Sequence, residues 1–301
     1  MKNSIIEKIK VLKQKKNAII LAHNYQIGEV QDIADFAGDS LDLSKKAADT
    51  SADVILFCGV RFMAESAKIL SPEKTVLLPD INAGCPLADM ITVEKLKEKK
   101  KEHPDALVVC YVNTLVEIKA ESDICCTSAN VAKVVNSIPA NKPIIFVPDK
   151  CLGSYASKMT KRDLILWDGY CSIHTSISAE EIRLLKDKHP QAKVLAHPEC
   201  IKEVLDIADC VLSTNGMIDY VKQSSSSEFI IGTDTGIIHR LKKENPKKNF
   251  YPASSLAECK SMKLTNLEKV LFSLEEMKYE INIPEDIRLK AKEPIDKMLS
   301  L

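Results

Sequence analysis

Cys85, Cys171 and Cys259 stand 86 and 88 residues apart, and Cys85 sits in a turn between Gly84 and Pro86, just past an apolar run. None has a second cysteine at zinc-ribbon or redox-pair spacing. Three thiols from three distant points suit a metal centre with one coordination position left open. Structural sites close their shell, whereas catalytic sites keep a place for substrate. Thiolates favour zinc or an iron–sulfur cluster. A cubane cluster usually takes four cysteines; held by three, its fourth iron can act on substrate as a Lewis acid. Three core cysteines would be the plainer reading, but it does not account for a shared spacing.

Two further sets keep the same period. Ser40, Ser128 and Thr214 are spaced 88 and 86 apart, and each precedes a helical stretch. Their ordinary role is N-capping. A helix N-terminus also presents free N–H groups to a phosphate or carboxylate. The second set is polar: His23 and Tyr25, Tyr111 and Asn113, His197 and Glu199, again 88 and 86 apart. Imidazole, phenol and carboxylate are the groups needed to move protons on a substrate beside a metal.

Something must bring such distant residues together. "KQKKNAIILAHNY", "KEHPDALVVCYVN" and "DKHPQAKVLAHPE" share a lysine-bearing helical stretch, a break, a strand and a polar strand end. The strand candidates are 18–22, 54–58, 75–79, 107–112, 143–147, 164–167, 193–197, 229–232 and 249–252, all short apolar runs between stretches of helical period. This is an α/β pattern with buried parallel strands. The repeat predicts three homologous three-layer (αβα) domains with short parallel sheets around a pseudo-threefold axis. Residues 1–86 with 260–301 would form the first, 87–172 the second and 173–259 the third. Because ligand residues in such sheets lie beyond the carboxyl ends of the strands, the active site falls at the centre. The tail from "MKLTNLEKV" reads as helical up to Pro284 and is expected to pack back on the first unit.

Composition narrows the partners. With 42 basic and 42 acidic residues the formal net charge is zero, which argues against a broad nucleic-acid surface. The apolar run near the N-terminus is too short for a signal-peptide core, and nothing approaches a membrane span. A cytoplasmic location is therefore expected, where ten cysteines would stay reduced. Cys58, Cys110, Cys125, Cys126, Cys151, Cys200 and Cys210 adjoin apolar runs and read as packing residues.

The segments "LAHNYQIGEVQDIADFAGDSLDLSKKAA", "NAGCPLADM", "VVCYVNT", "CTSANV", "DGYC", "AHPEC", "TGIIHRL" and "CKSMK" together resemble the quinolinate synthase family, the A protein of bacterial NAD biosynthesis. The resemblance covers essentially the whole chain. It implies a [4Fe-4S] cluster on Cys85, Cys171 and Cys259, with the fourth iron open to substrate. It implies condensation of iminoaspartate with dihydroxyacetone phosphate to quinolinate, releasing phosphate and water. It also implies a functional link to the L-aspartate oxidase or dehydrogenase that supplies iminoaspartate. The substrate-contacting residues it implies are His23, Ser40, Tyr111, Asn113, Ser128, His197, Glu199 and Thr214, with Tyr25 as acid/base partner. Glu199 is assigned acid/base work near the open iron and Tyr25 the start of tautomerisation. Ser261 departs from the asparagine common in the family's C-x-N-M-K segment. A C-terminal C-x-x-C-x-x-C run found in some relatives is reduced to Cys259. A zinc-dependent lyase or aldolase and a non-catalytic repeat scaffold are the competing readings. Metal content separates them.

Overall fold

The computed structural model describes residues Lys2–Leu301. Four parallel strands form the first sheet: β1 (Ala18–His23), β2 (Phe36–Gly38), β3 (Val54–Cys58) and β4 (Thr75–Leu77). The second contains β5 (Leu107–Tyr111), β6 (Ile124–Cys126), β7 (Ile144–Val147) and β8 (Ile165–Leu166). The third contains β9 (Lys193–Ala196), β10 (Cys210–Val211), β11 (Glu228–Gly232) and β12 (Asn249–Pro252). The strand orders are β2-β1-β3-β4, β6-β5-β7-β8 and β10-β9-β11-β12, the same permutation each time. The α/β reading with three parallel sheets between helices is therefore correct. Among the described residues, no helix is long and apolar enough to cross a membrane.

Burial explains why such short runs suffice. Ile20, Leu21, Ile55, Leu56, Val108, Val109, Ile145 and Ile231 have no exposed surface. Each such side chain gains about 1.5–3 kcal/mol on leaving water. All nine runs named from sequence become strands. The remaining three, β2, β6 and β10, are edge strands of two or three residues, too brief to show a period.

Two polar devices fix the sheets, and each occurs once per unit. Asp35, Asp123 and Asp209 each bond one strand residue twice: Ile20, Val108 and Val194. The carboxylate accepts its N–H at 2.8, 2.7 and 2.8 Å, and the aspartate's own N–H reaches its carbonyl. Lys74, Arg162 and Lys248 each lay their cationic head on carbonyls at the C-terminal end of a helix: Thr50, Ile138 and Ser224 respectively. Those orphan carbonyls are where a cation is favoured.

The tail departs from expectation. Helix Leu267–Glu276 does pack on helix Lys2–Lys15 and β3, within the first unit. A second helix, Glu285–Leu299, starts just after Pro284 and lies chiefly on helix Val116–Ala120 and β6 of the second unit. Its buried face, Ala291, Ile295 and Met298, finds its apolar partners there, so the tail straps two units. Proline at the N-cap, with its fixed φ and missing N–H, starts this helix rather than ending the segment.

Candidate metal centre and proton-transfer site

The equivalent strands β1 and β5 end in His23 and Tyr111, and His197 follows the last residue of β9, with Tyr25, Asn113 and Glu199 two residues further on in each unit. All six line one central cavity, together with Ser40, Ser128 and Thr214 and with Cys85, Cys171 and Cys259. Every residue predicted for the site from sequence is thus brought to one place. The seven remaining cysteines are absent from that lining. All ten are free thiols.

The three cysteine loops are built alike. Backbone N–H groups of Arg61, Lys150 and Thr235, just past β3, β7 and β11, donate to the carbonyls of Ala83, Gly169 and Ala257 at 2.8, 2.8 and 2.9 Å. Each acceptor lies two residues before its cysteine. A short helical turn follows each cysteine at Ala88–Met90, Ser172–Thr175 and Met262–Leu264. Each sulfur consequently takes the N–H three residues on, from Ala88, His174 and Met262. Burial, reinforced by the neighbouring acidic groups, pushes the thiols up: Cys85 to about 12, Cys171 well above its ordinary value, and Cys259 upward too.

Three sulfurs, each supplied with an N–H donor, share a buried cavity where their mutual repulsion and desolvation hold protons on. A cation between them would reverse that balance by taking the thiolates as ligands. Two buried acceptors in the same cavity, Oε1 of Glu199 and Oδ1 of Asn113, have no hydrogen-bond partner among the described residues. Unpaired buried acceptors are costly unless a ligand completes them. The donor set fits a soft-ligand metal group with room for an oxygen- or nitrogen-bearing substrate.

Sequence reasoning missed His174, Thr233, Asp149, Asp234 and Lys263. His174 is 2% exposed, with Nδ1 3.1 Å from Cys171 Sγ and 3.1 Å from Glu199 Oε2. Its Nε2 is 2.8 Å from Thr233 Oγ1 and 3.3 Å from the Tyr25 hydroxyl, which also bonds Thr233. One imidazole therefore joins a phenol to a carboxylate. Cys171, His174 and Glu199 can also offer one ligand atom each within 4.8 Å of one another. The signal was available: His174 falls three residues after Cys171, on the first turn of a helix. Thr233 and Asp234 lie just past β11, where the strand-end rule applies as well as it does to β9.

Electrostatics divide these groups into donors and acceptors. Burial, with help from His197 and Lys263, pushes His23 down to about 3. Its Nδ1 accepts the N–H of Tyr25 at 3.2 Å, as a neutral ring can. Burial likewise takes His174 down to about 4, against the pull of Glu199. Burial raises Tyr25 and Tyr111 well above the ordinary phenol value, and the Glu199 charge adds to it. Burial opposes ionisation of Glu199 itself, yet His174, His197 and His23 hold its carboxyl below the usual range.

The hydroxyl set needs correction. Asp39 and Ser213 cap the helices Ser40–Asp49 and Thr214–Gln223, so Ser40 and Thr214 are first helical residues rather than caps. Ser128 lies in a turn ahead of a helix that begins only at Val131. Capping needs non-helical backbone before the first turn, and Asp39 and Ser213 supply it with their extended conformations. Thr214 Oγ1 instead accepts Asn24 Nδ2 at 2.9 Å, and Ser128 Oγ lies 3.1 Å from His197 Nε2.

A statistical description of the quinolinate synthetase A protein family matches residues 7–300. The chain is 55% identical over 297 residues to quinolinate synthase from Methanosarcina barkeri, covering 99% of this chain and 97% of that one. It is 54% identical over 297 residues to quinolinate synthase 2 from Methanosarcina acetivorans, covering 99% and 96%. Quinolinate synthase from Desulforudis audaxviator is 53% identical over 299 residues, with 99% of both chains covered.

Proposed function

Because the chain belongs to the quinolinate synthetase A protein family, we propose that it condenses iminoaspartate with dihydroxyacetone phosphate to give quinolinate, phosphate and water. The observation that carries this reading is the convergence of one cysteine from each unit on a cavity walled by strand-end acid/base groups. Cys85, Cys171 and Cys259 would hold the [4Fe-4S] cluster. Bound there, it would supply an open iron as a Lewis acid toward substrate oxygen or nitrogen.

The chain's own residues carry the proton work. Building a pyridine ring from these substrates requires enediol tautomerisation, carbon–carbon bond formation, imine formation and loss of water. The Tyr25 phenol is too weak a base alone, with an ordinary pKa near 10. Its contacts with Thr233 and His174 give the proton somewhere to go, and Glu199 on the far side of His174 can receive it. Glu199 is held ionised by its histidines, so it starts the cycle as a base. The unpaired Asn113 and Glu199 oxygens would accept from the imine or ammonium nitrogen of the substrate. Ser40 and Thr214, on the first turns of two helices, and Ser128 would hydrogen-bond phosphate and carboxylates without any net basic charge. The supplier would be an enzyme that oxidises aspartate to its imine.

Anaerobic protein loaded with iron and sulfide should form quinolinate from the two substrates. A loaded protein that forms none contradicts the reading. The Cys171, His174 and Glu199 grouping favours a second reading, a mononuclear zinc lyase or aldolase. Zinc at one per chain without sulfide would select it.

A further inference from the structure

The three cysteine loops share one scaffold but are not held equally. Past β7, the fully buried Asp149 accepts the N–H of Cys171 on Oδ2 at 3.1 Å and the N–H of Leu152 on Oδ1 at 2.8 Å. Past β11, the fully buried Asp234 accepts the N–H of Cys259 on Oδ2 at 2.6 Å. Its Oδ1 takes the N–H of Gly236 at 2.7 Å and the Lys263 ammonium at 2.6 Å. The strand registers place Val60 at the equivalent position past β3. Arg61 keeps the backbone tie to Ala83 at 2.8 Å, but valine has no acceptor to offer. Among the described residues, no carboxylate bonds the N–H of Cys85.

A buried side-chain oxygen that accepts the cysteine's own N–H pins that loop to the neighbouring strand end, and a loop without such an acceptor has one tie fewer. We propose that Asp149 and Asp234 are positioning residues that lock Cys171 and Cys259 in place as ligands, and that Cys85 is the exchangeable ligand of the three. The first arm would then be the last to engage during cluster assembly and the first to let go. This rests on the cluster reading above. Surface exposure does not impose that order, because all three cysteines are half-buried.

The test follows thiols rather than turnover. Anaerobic, cluster-loaded protein is mixed with an iron chelator and an alkylating reagent, and labelled peptides are mapped by mass spectrometry over time. In the parent protein Cys85 should be labelled first, with Cys171 and Cys259 about tenfold slower. Asp234→Asn should speed labelling of Cys259 about tenfold and leave Cys171 at the parental rate. Asp149→Asn should do the reverse. A general loss of stability would speed all three alike, and that result overturns the proposal. So does simultaneous labelling in the parent, or Cys171 or Cys259 leading. The parental order needs no variant, so it decides the matter even if Asp149→Asn fails to fold. A parent protein purified without iron and sulfide overturns the cluster reading together with this one; a loaded parent with the wrong order overturns this one alone.

Discussion

The ends of β1 and β9 are the same piece of backbone with different chemistry attached. In each, a histidine at or just past the strand end accepts the N–H two residues on: His23 Nδ1 is 3.2 Å from the N of Tyr25, and His197 Nδ1 is 3.4 Å from that of Glu199. The equivalent residues then diverge, one to a phenol held neutral and one to a carboxylate held ionised. His174, from neither strand, joins them. A repeated fold therefore supplied matching positions, and substitution within the repeat separated acid from base. The second unit, with Tyr111 and Asn113 at the same places, contributes hydrogen-bonding groups and no charge.

The comparison is broken most severely by removing the phenol. Tyr25→Phe should keep its cluster absorbance and bind both substrates, yet lose about 10²–10⁴ in kcat, the usual contribution of a positioned acid or base. Parental turnover would reduce Tyr25 to packing. A smaller effect is expected at the hydroxyls that touch the two ends. Ser128→Ala and Thr214→Ala should each weaken an anionic substrate analogue about 10–100-fold by calorimetry, the cost of one charge-assisted hydrogen bond. Unchanged affinity would remove them from the anion site.

Smaller still, Thr233→Val should slow turnover about 2–10-fold, since it takes one neutral hydrogen bond from the phenol and leaves His174 in reach. The last prediction concerns stability. His23 is pushed down to about 3 when folded and titrates near 6.5 when unfolded, so between those values the unfolded chain binds the extra proton. Its contribution is fully present above about pH 6.5 and is lost as pH falls toward 3. Denaturant titrations of His23→Gln should show an acid limb shallower by up to about 1.4 kcal/mol per pH unit. An unaltered slope would mean His23 does not stay neutral in the fold.

The repeat was legible because three residue types kept one period, and it led directly to Cys85, Cys171, Cys259 and the strand-end groups. What stayed hidden has physical reasons. The edge strands β6 and β10 are two or three residues long and carry no periodicity. His174 has no equivalent in the other repeats, where Ala88 and Met262 follow their cysteines by three, so the symmetry that exposed the cysteines concealed it. Asp149 and Asp234 follow the third strand of their units, where the first unit has Val60, so the threefold repeat does not mark them. Ser40 and Thr214 were displaced by one residue from the capping position, a distinction that depends on backbone dihedrals. The last helix binds the second unit because its apolar face matches a neighbour distant in sequence.

Three thiols, one from each unit, are proposed to hold one iron–sulfur group. Iron and acid-labile sulfide measured per chain in anaerobically purified protein, beside Cys85→Ala, Cys171→Ala, Cys259→Ala and the control Cys58→Ala, test it directly. About four iron and four sulfide are expected in the parent and the control, and near none in each of the three variants. Full loading of Cys171→Ala, or loss of loading in Cys58→Ala, would contradict it.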